Sequence, residues 1–360
     1  MTASRLKGRL AASIYLQFLA MATAIRSFAK INIGLAIGPL RDDNFHNLRT
    51  VYQTIALHDV LKVDIGRGTG IEIRCKDPRV PPDESNTCYR VAERVLRTAG
   101  QRGRVTITIE KKLPVQGGLG AASSNAVATL LGLQRELEQT LQPEDQLRIC
   151  EEVGSDLPLF LVGGTVLGIG RGEQVFPLED LPEFHCVVVT PDIAISTPRA
   201  FADWDALRHE NGVNSSPKPA YAVPEKLTNP ADSDKLISFS RTVYAWLSSG
   251  YRTSSGVPHM NGDRAEAPLL DLVRTGIEND FERVVFPQHP ELRDIKRVLY
   301  GQAGDSARYA SLSGSGSTMY GFFDSKDAAD EAASRISATG HPAHVTKTLT
   351  RKEYWNQLFV

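Results

Sequence analysis

Pro114-Val-Gln-Gly-Gly-Leu-Gly-Ala-Ala-Ser-Ser124 runs directly into an alanine- and leucine-rich stretch, Asn125-Ala-Val-Ala-Thr-Leu-Leu-Gly-Leu-Gln134. Just before it stands the cleanest strand signal in the chain, Val105-Thr-Ile-Thr-Ile-Glu110, which alternates apolar and polar residues. Strand, glycine loop and helix start therefore follow one another. Such a loop aims several backbone N–H groups and the positive end of the helix dipole at one point, which suits a phosphate chain. Glycine also lets a ligand approach the backbone closely. A tight strand-to-helix turn without a ligand fits the same composition. Ser123 or Ser124 is expected to cap the helix through its hydroxyl. The pattern G-x-x-x-x-G-K-[ST] occurs nowhere, so this is not a P-loop, and the loop lacks the dinucleotide pattern G-x-G-x-x-G.

Upstream, Ser27 to Ile37 reads as a strand interrupted by Lys30 and Asn32, followed by the polar loop Arg41 to His46 and by short apolar stretches from Val51 to Ile73. Downstream, Asn, Ser, Pro, Gly and charged residues dominate from about Trp204 to Pro268, which reads as an insertion at 204–268. A second glycine-rich run, Ser311-Leu-Ser-Gly-Ser-Gly-Ser317, then leads into the apolar Met319 to Phe323 and the helical Lys326 to Ile336.

With 360 residues, 41% hydrophobic, the chain is long enough for a buried core and for two domains. Forty-one basic against 42 acidic residues leave a net charge of -1, so neither a nucleic acid nor a membrane surface is expected as partner. Cys75, Cys88, Cys150 and Cys186 are widely spaced and form no C-x-x-C pair, which points to a reducing, cytoplasmic setting. Residues 1–21 are expected as an N-terminal extension: Lys7 and Arg9 precede a modest apolar run to Met21 that is broken by Ser13 and Gln17 and too short to span a bilayer. It reads as an extra helix, or as the product of a start upstream of the true one at Met21.

The loop from Pro114 to Asn125 resembles the P-x-x-x-G-L-G-x-x-S-S signature of the GHMP kinase superfamily. Phe28-Ala-Lys-Ile-Asn-Ile33 resembles the motif that opens that family, and Ser311 to Ser317 its C-terminal glycine-rich motif. Further segments are similar to the branch whose acceptor is a cytidine diphosphate-linked methylerythritol: Asp43-Asn-Phe-His46, Val153-Gly-Ser-Asp-Leu-Pro-Leu-Phe160, Gly163 to Glu173, and Ser196-Thr-Pro-Arg-Ala-Phe201. The sequence departs from the family pattern at Phe28, Asn44, Phe45, Gln116, Ala121 and Ala122.

The resemblance implies an α+β, two-domain GHMP kinase fold, with a ribosomal S5 domain 2-like N-terminal domain over 22–181 and a ferredoxin-like C-terminal domain over 182–360. It implies phosphoryl transfer from ATP, with Mg²⁺, to a small-molecule hydroxyl. An attacking hydroxyl must lose its proton, and by resemblance Asp156 is the base, with Lys30 beside it to offset growing phosphoryl charge. Pro114, Val115, Gln116, Gly117, Gly118, Leu119, Gly120, Ala121, Ala122, Ser123 and Ser124 would hold the nucleotide, with Ser124 a candidate Mg²⁺ ligand. Asn32, Phe45, His46, Thr197, Phe201, Gly314 and Ser315 would hold the acceptor, Phe45 and Phe201 as a sandwich for cytosine and His46 at its polar edge. A homoserine or mevalonate kinase type, or a non-catalytic nucleotide- or sugar-phosphate-binding protein of the same fold, are the alternatives; Phe45, His46 and Phe201 weigh against the first two, and Lys30 and Asp156 against the last.

Overall fold

The computed structural model describes residues 22–115, 117–210, 278–301 and 306–360. The expected N-terminal extension up to Met21, Gln116, and the expected insertion from residue 211 onward lie outside the described residues. The first residues of that segment, 204–210, continue a helix that starts at Thr197, and Trp204 is buried there.

Strands β1 (Thr23–Leu40) and β2 (His46–Gly66) form a long antiparallel pair. Its turn uses Asn44 in the left-handed region (φ 62), which asparagine tolerates better than most residues. After β3 (Gly70–Cys75) and α1 (Thr87–Ala99), strand β4 (Arg104–Glu110) shows the expected alternation, with Val105, Ile107 and Ile109 buried. Then come α2 (Ala121–Glu136), α3 (Pro143–Val153), α4 (Leu157–Val162), β5 (Thr165–Gly170) and β6 (Gln174–Pro177). The sheet order is β3-β4-β2-β5-β6, with β1 paired to β2.

The second half contributes β7 (His185–Val189), α5 (Thr197–Glu210), α6 (Glu282–Gln288), α7 (Pro290–Tyr300), β8 (Tyr309–Leu312), β9 (Met319–Phe323), α8 (Lys326–Ala338) and β10 (Ala343–Lys347). Its antiparallel sheet runs β10-β7-β9-β8, which counted from β7 is the 4-1-3-2 order of a ferredoxin-like unit. Helix α9 (Arg351–Gln357) ends the chain against the first half. No helix among the described residues is long and apolar enough to cross a membrane.

Alternation along the strands builds three cores. Phe28, Tyr52, Leu61 and Val166 face α1 to α4. On the opposite face Ala29, Ile31, Ile33 and Val51 meet Cys186, Val188, Tyr320 and Phe322 of the second sheet. The residues between these, Val187, Val189, Met319 and Phe323, turn to α5–α8. Two sheets thus lie face to face with helices outside, and the chain's glycine loops meet at one end of that contact.

Tyr354 of α9 is 2% exposed, packs on the Phe28 ring and donates from Oη to the Phe160 carbonyl at 2.8 Å. Tyr354→Ala removes that ring from a filled core, so chemical denaturation is expected to show a loss of about 3–5 kcal/mol.

Candidate active site

Lys30 and Asn32 lie two apart on β1, opposite Thr54 and Tyr52 of β2, so their side chains share one face. Lys30 Nζ donates to Asn32 Oδ1 at 2.7 Å and stands 3.5 Å from Asp156 Oδ2. Asn32 Nδ2 donates to Thr50 Oγ1 at 2.8 Å, and Tyr320 Oη of the second sheet donates to the Asn32 carbonyl at 2.7 Å. Lys30 is only 3% exposed, so it is not a solvated strand lysine.

Asp156 occupies the position before α4, yet its carboxylate caps nothing. It accepts from Tyr52 Oη at 3.1 Å and keeps about a third of its side chain exposed (34%), open to a reactant. Burial, and then the negative charge of Asp156, push the Tyr52 phenol well above its ordinary range, so it remains a donor at any working pH.

The first glycine-rich loop closes over this pair. Lys30 N donates to the Leu119 carbonyl at 3.0 Å, Thr318 N to Gly117 O at 3.2 Å, and Ser313 Oγ to Gly118 O at 2.9 Å. The two glycine-rich motifs are therefore in direct contact. Gly118 has φ +79, and a Cβ there would stand 2.1 Å from the Ser313 carbonyl oxygen. Pro114 packs on Gly117, and Ala122 O accepts from Thr87 Oγ1 at 2.9 Å.

The expected serine cap is corrected: Gly120, at φ +69, occupies the N-cap, α2 starts at Ala121, and Ser123 and Ser124 lie inside its first turns. A left-handed glycine turns the chain into the helix without a side-chain acceptor. Ser124 Oγ, 2% exposed, is left to accept from Ser27 Oγ at 2.7 Å.

Of the expected acceptor residues, Asn32 and Gly314 adjoin Lys30, and a Cβ on Gly314 would be 3.7 Å from Nζ. Thr197 Oγ1 and Ser315 Oγ are 2.7 Å apart. His46 and Phe201 stack with centroids 5.0 Å apart and planes at 2°. His46 is buried, with Nδ1 3.0 Å from Gly38 O and Nε2 3.4 Å from Asp205 Oδ2. Phe45 takes another partner. It is 49% exposed, with the Arg171 guanidinium 5.0 Å from its ring centroid.

Residues 86–164 match the family described as GHMP kinases N terminal domain, and 265–342 match GHMP kinases C terminal. A 4-diphosphocytidyl-2-C-methyl-D-erythritol kinase of Solibacter usitatus is 36% identical over 304 residues, covering 84% of this chain and 82% of that protein. The chain belongs to the 4-diphosphocytidyl-2-C-methyl-D-erythritol kinase family. It is an ATP-dependent small-molecule kinase of the two-domain GHMP fold. A crystal structure of a 4-(cytidine 5'-diphospho)-2C-methyl-D-erythritol kinase superposes with a TM-score of 0.64 at 26% identity, covering 90% of this chain and 98% of the other. A homoserine kinase from Cytophaga hutchinsonii superposes at 0.61 with 16% identity, covering 92% of this chain and 96% of that one, a likeness of fold alone.

Several parts of this diphosphocytidyl-methylerythritol kinase family site carry no motif. Tyr52 and Thr50 sit in a strand that reads as plain apolar stretches, and only the i, i+2 spacing toward Gln53-Thr54 hints at a polar face. Asn279 ties down the second glycine loop, donating from Nδ2 to Leu312 O at 2.9 Å and to Gly314 O at 2.7 Å. Asp59, fully buried, accepts from Lys111 Nζ and from the Lys112 and Leu113 backbone, each at 2.7 Å, and from Asn125 Nδ2 at 3.2 Å. It clamps both ends of the first loop.

Gly118→Ala forces that loop off Ser313. Initial rates against ATP concentration should show kcat/KM for ATP reduced by at least about tenfold, a barrier change of roughly 1.4 kcal/mol or more, while the fold persists.

Proposed function

We propose that Lys30 and Asp156 carry a transfer of the γ-phosphoryl of ATP to the 2-hydroxyl of 4-diphosphocytidyl-2-C-methyl-D-erythritol. The observation that supports this most directly is the pairing of buried Lys30 with partly open Asp156 at 3.5 Å, beneath two touching glycine-rich loops. The name and 36% identity of the Solibacter usitatus relative supply the acceptor. The acceptor oxygen bonds to the γ-phosphorus as the bond from that phosphorus to the ADP oxygen breaks, and its proton passes to Asp156. Lys30 balances the charge gathering on the phosphoryl oxygens. Tyr52, by holding one carboxylate oxygen, leaves the other facing Lys30 and the cleft.

The loop from Gly117 to Gly120 and the first turn of α2 would cradle the triphosphate. Mg²⁺ prefers oxygen ligands and takes most of them from phosphate and water. Ser124 Oγ would be the protein ligand of such an ion, and the next residue, Asn125, carries a buried Oδ1 without a hydrogen-bond partner among the described residues. Bound there, Mg²⁺ would neutralise charge on the β- and γ-phosphates. All four cysteines are free, in keeping with a cytoplasmic enzyme.

On the acceptor side, Phe201 stacked with His46, and the adjacent, half-exposed Phe45, are read as the cytosine site. Four neighbours, Asn32, Gly314, Ser315 and Thr197, would hold the polyol and its phosphates.

ADP release should be measured with diphosphocytidyl-methylerythritol, homoserine and mevalonate in parallel. Turnover with only the first is expected, and turnover with either of the others alone refutes the assignment. Asp156→Asn keeps the shape but cannot take the proton, so kcat should fall at least about 10²-fold with nucleotide binding intact. Lys30→Ala is expected to act on kcat as well; a pure KM effect would make Lys30 a binding residue.

Base stacking is worth about 1–3 kcal/mol per ring, so Phe201→Ala or Phe45→Ala should raise the acceptor KM roughly 5- to 100-fold and leave that for ATP in place. If both variants lose thermal stability and keep their KM, the rings are packing residues and the cytidine site lies elsewhere.

A further inference from the structure

The hairpin joining β5 to β6 lies along one wall of the cleft, and its tip is Gly170-Arg-Gly172. Two contacts place it. A Cβ added to Gly172 would stand 2.4 Å from Tyr52 Oη and 3.9 Å from Asp156 Oδ1, so the backbone of the tip touches the catalytic side. One residue earlier, the Arg171 side chain reaches the other way, over the ring of Phe45. Arg171 therefore spans the stretch between the carboxylate that would take the proton and an aromatic that would take the base.

That stretch is rich in negative charge. Asp156 is on one side and Asp43 on the other, and Glu173 lies at the foot of the hairpin. The other nearby cations are committed. Arg41 Nε bonds both oxygens of Asp43 at 3.1 and 3.2 Å, and this bond is the main reason that the Asp43 carboxyl lies below its ordinary range. Lys30 is held by Asn32 and Asp156. Arg171 differs. Its backbone N–H donates to Glu173 Oε2 at 2.6 Å, but its guanidinium donates no hydrogen bond among the described residues, and Glu173 Oε1 is 3.5 Å from Nε. The side chain is 30% exposed and its ion pair with Glu173 is on Nε, so this planar cation, though paired at one edge, still presents donors to the cleft.

We infer that Arg171 is a specificity-determining residue that binds the diphosphate linking the base to the polyol of the acceptor. The inference rests on the acceptor reading given above. A guanidinium offers two parallel N–H donors that match phosphate oxygens, and the pair is stronger than a neutral hydrogen bond. It would hold the acceptor by a charged group that a homoserine or a mevalonate lacks. Arg171 touches neither the transferred phosphoryl nor the attacking oxygen, so its effect is on binding rather than on chemistry.

The test uses cytidine 5'-diphosphate and cytidine as probes, titrated calorimetrically into the full chain with the ATP site filled by a non-hydrolysable ATP analogue. The wild type should bind the diphosphate at least about tenfold more tightly than the nucleoside, as expected for a new charge-assisted bidentate pair. Arg171→Met should abolish most of that gain and leave cytidine within about twofold, and Arg171→Lys should restore part of it. Added salt should weaken the gain in the wild type more than in the methionine variant. Equal losses for both probes would mean that Arg171 only covers Phe45, and an undiminished gain in Arg171→Met would mean that the diphosphate is held elsewhere; either result overturns the inference. A diphosphate gain that depends on Arg171, in a chain that does not phosphorylate diphosphocytidyl-methylerythritol, would instead sink the proposed function and leave the Arg171 site standing.

Discussion

The Lys30 ammonium is almost wholly shielded from water, and moving such an ion out of water costs on the order of several kcal/mol unless partners replace the solvent. Asn32 and Asp156 replace it here, and each needs its own support. Asn32 leans on Thr50, which in turn donates to Gly34 O at 2.8 Å; Asp156 leans on Tyr52. A chain of polar groups therefore runs through the middle of the longest strand pair. Removing any one of them leaves a buried charge or dipole unmet, which ties the β1–β2 register to the position of the reactive groups.

The register has a second consequence, because β1 also carries the apolar residues that join the two sheets. Ile31 and Ile33 face Tyr320 and Phe322, while Lys30 and Asn32 between them face the cleft. The strand that binds the sheets together is thus the strand that presents the lysine. Ser313 and Thr318 of the second half can bond the first glycine loop only when that sheet contact is made. Contact of the two glycine-rich loops and burial of the inter-sheet core are in this way one event, which explains how segments nearly two hundred residues apart come to share one end of the molecule.

Much of this was legible from local pattern. Alternation marked β4, the apolar run marked β9, and the glycine count marked the loop between β4 and α2, because each is a pattern confined to a few residues. The helix start was misread for the same reason: serine is a good cap, and only backbone geometry tells that Gly120 has already taken that position. Lys30 and Asp156 stand in recognisable motifs and the fold brings them within 3.5 Å of each other, whereas Tyr52, Asp59 and Asn279 stand in none, since an isolated polar residue in a strand or turn has no period. Their partners are distant in sequence, Asp156 for Tyr52 and Asn125 for Asp59, so the pairing exists only once the sheet is formed. The aromatic pair differs again. Phe201 was expected opposite Phe45, but its stacking partner is His46, because α5 brings Phe201 and Asp205, one turn apart, to the two sides of that imidazole.

The two sides of the cleft are built from different material, and this bears on how such an enzyme can change substrates. On the side proposed for phosphoryl transfer Lys30, Asp59 and Ser124 are buried and hydrogen-bonded, and Asp156 alone is partly open. A change there disturbs the core as well as the chemistry. The proposed acceptor side adds to the buried Asn32, His46 and Ser315 two more exposed groups, Phe45 on a turn and Arg171 on a hairpin tip. Substitutions at such positions alter recognition at little cost to stability. A two-sheet frame of this kind is shared with a homoserine kinase at 16% identity, and what a shared fold accepts as substrate is decided by the side chains placed on it.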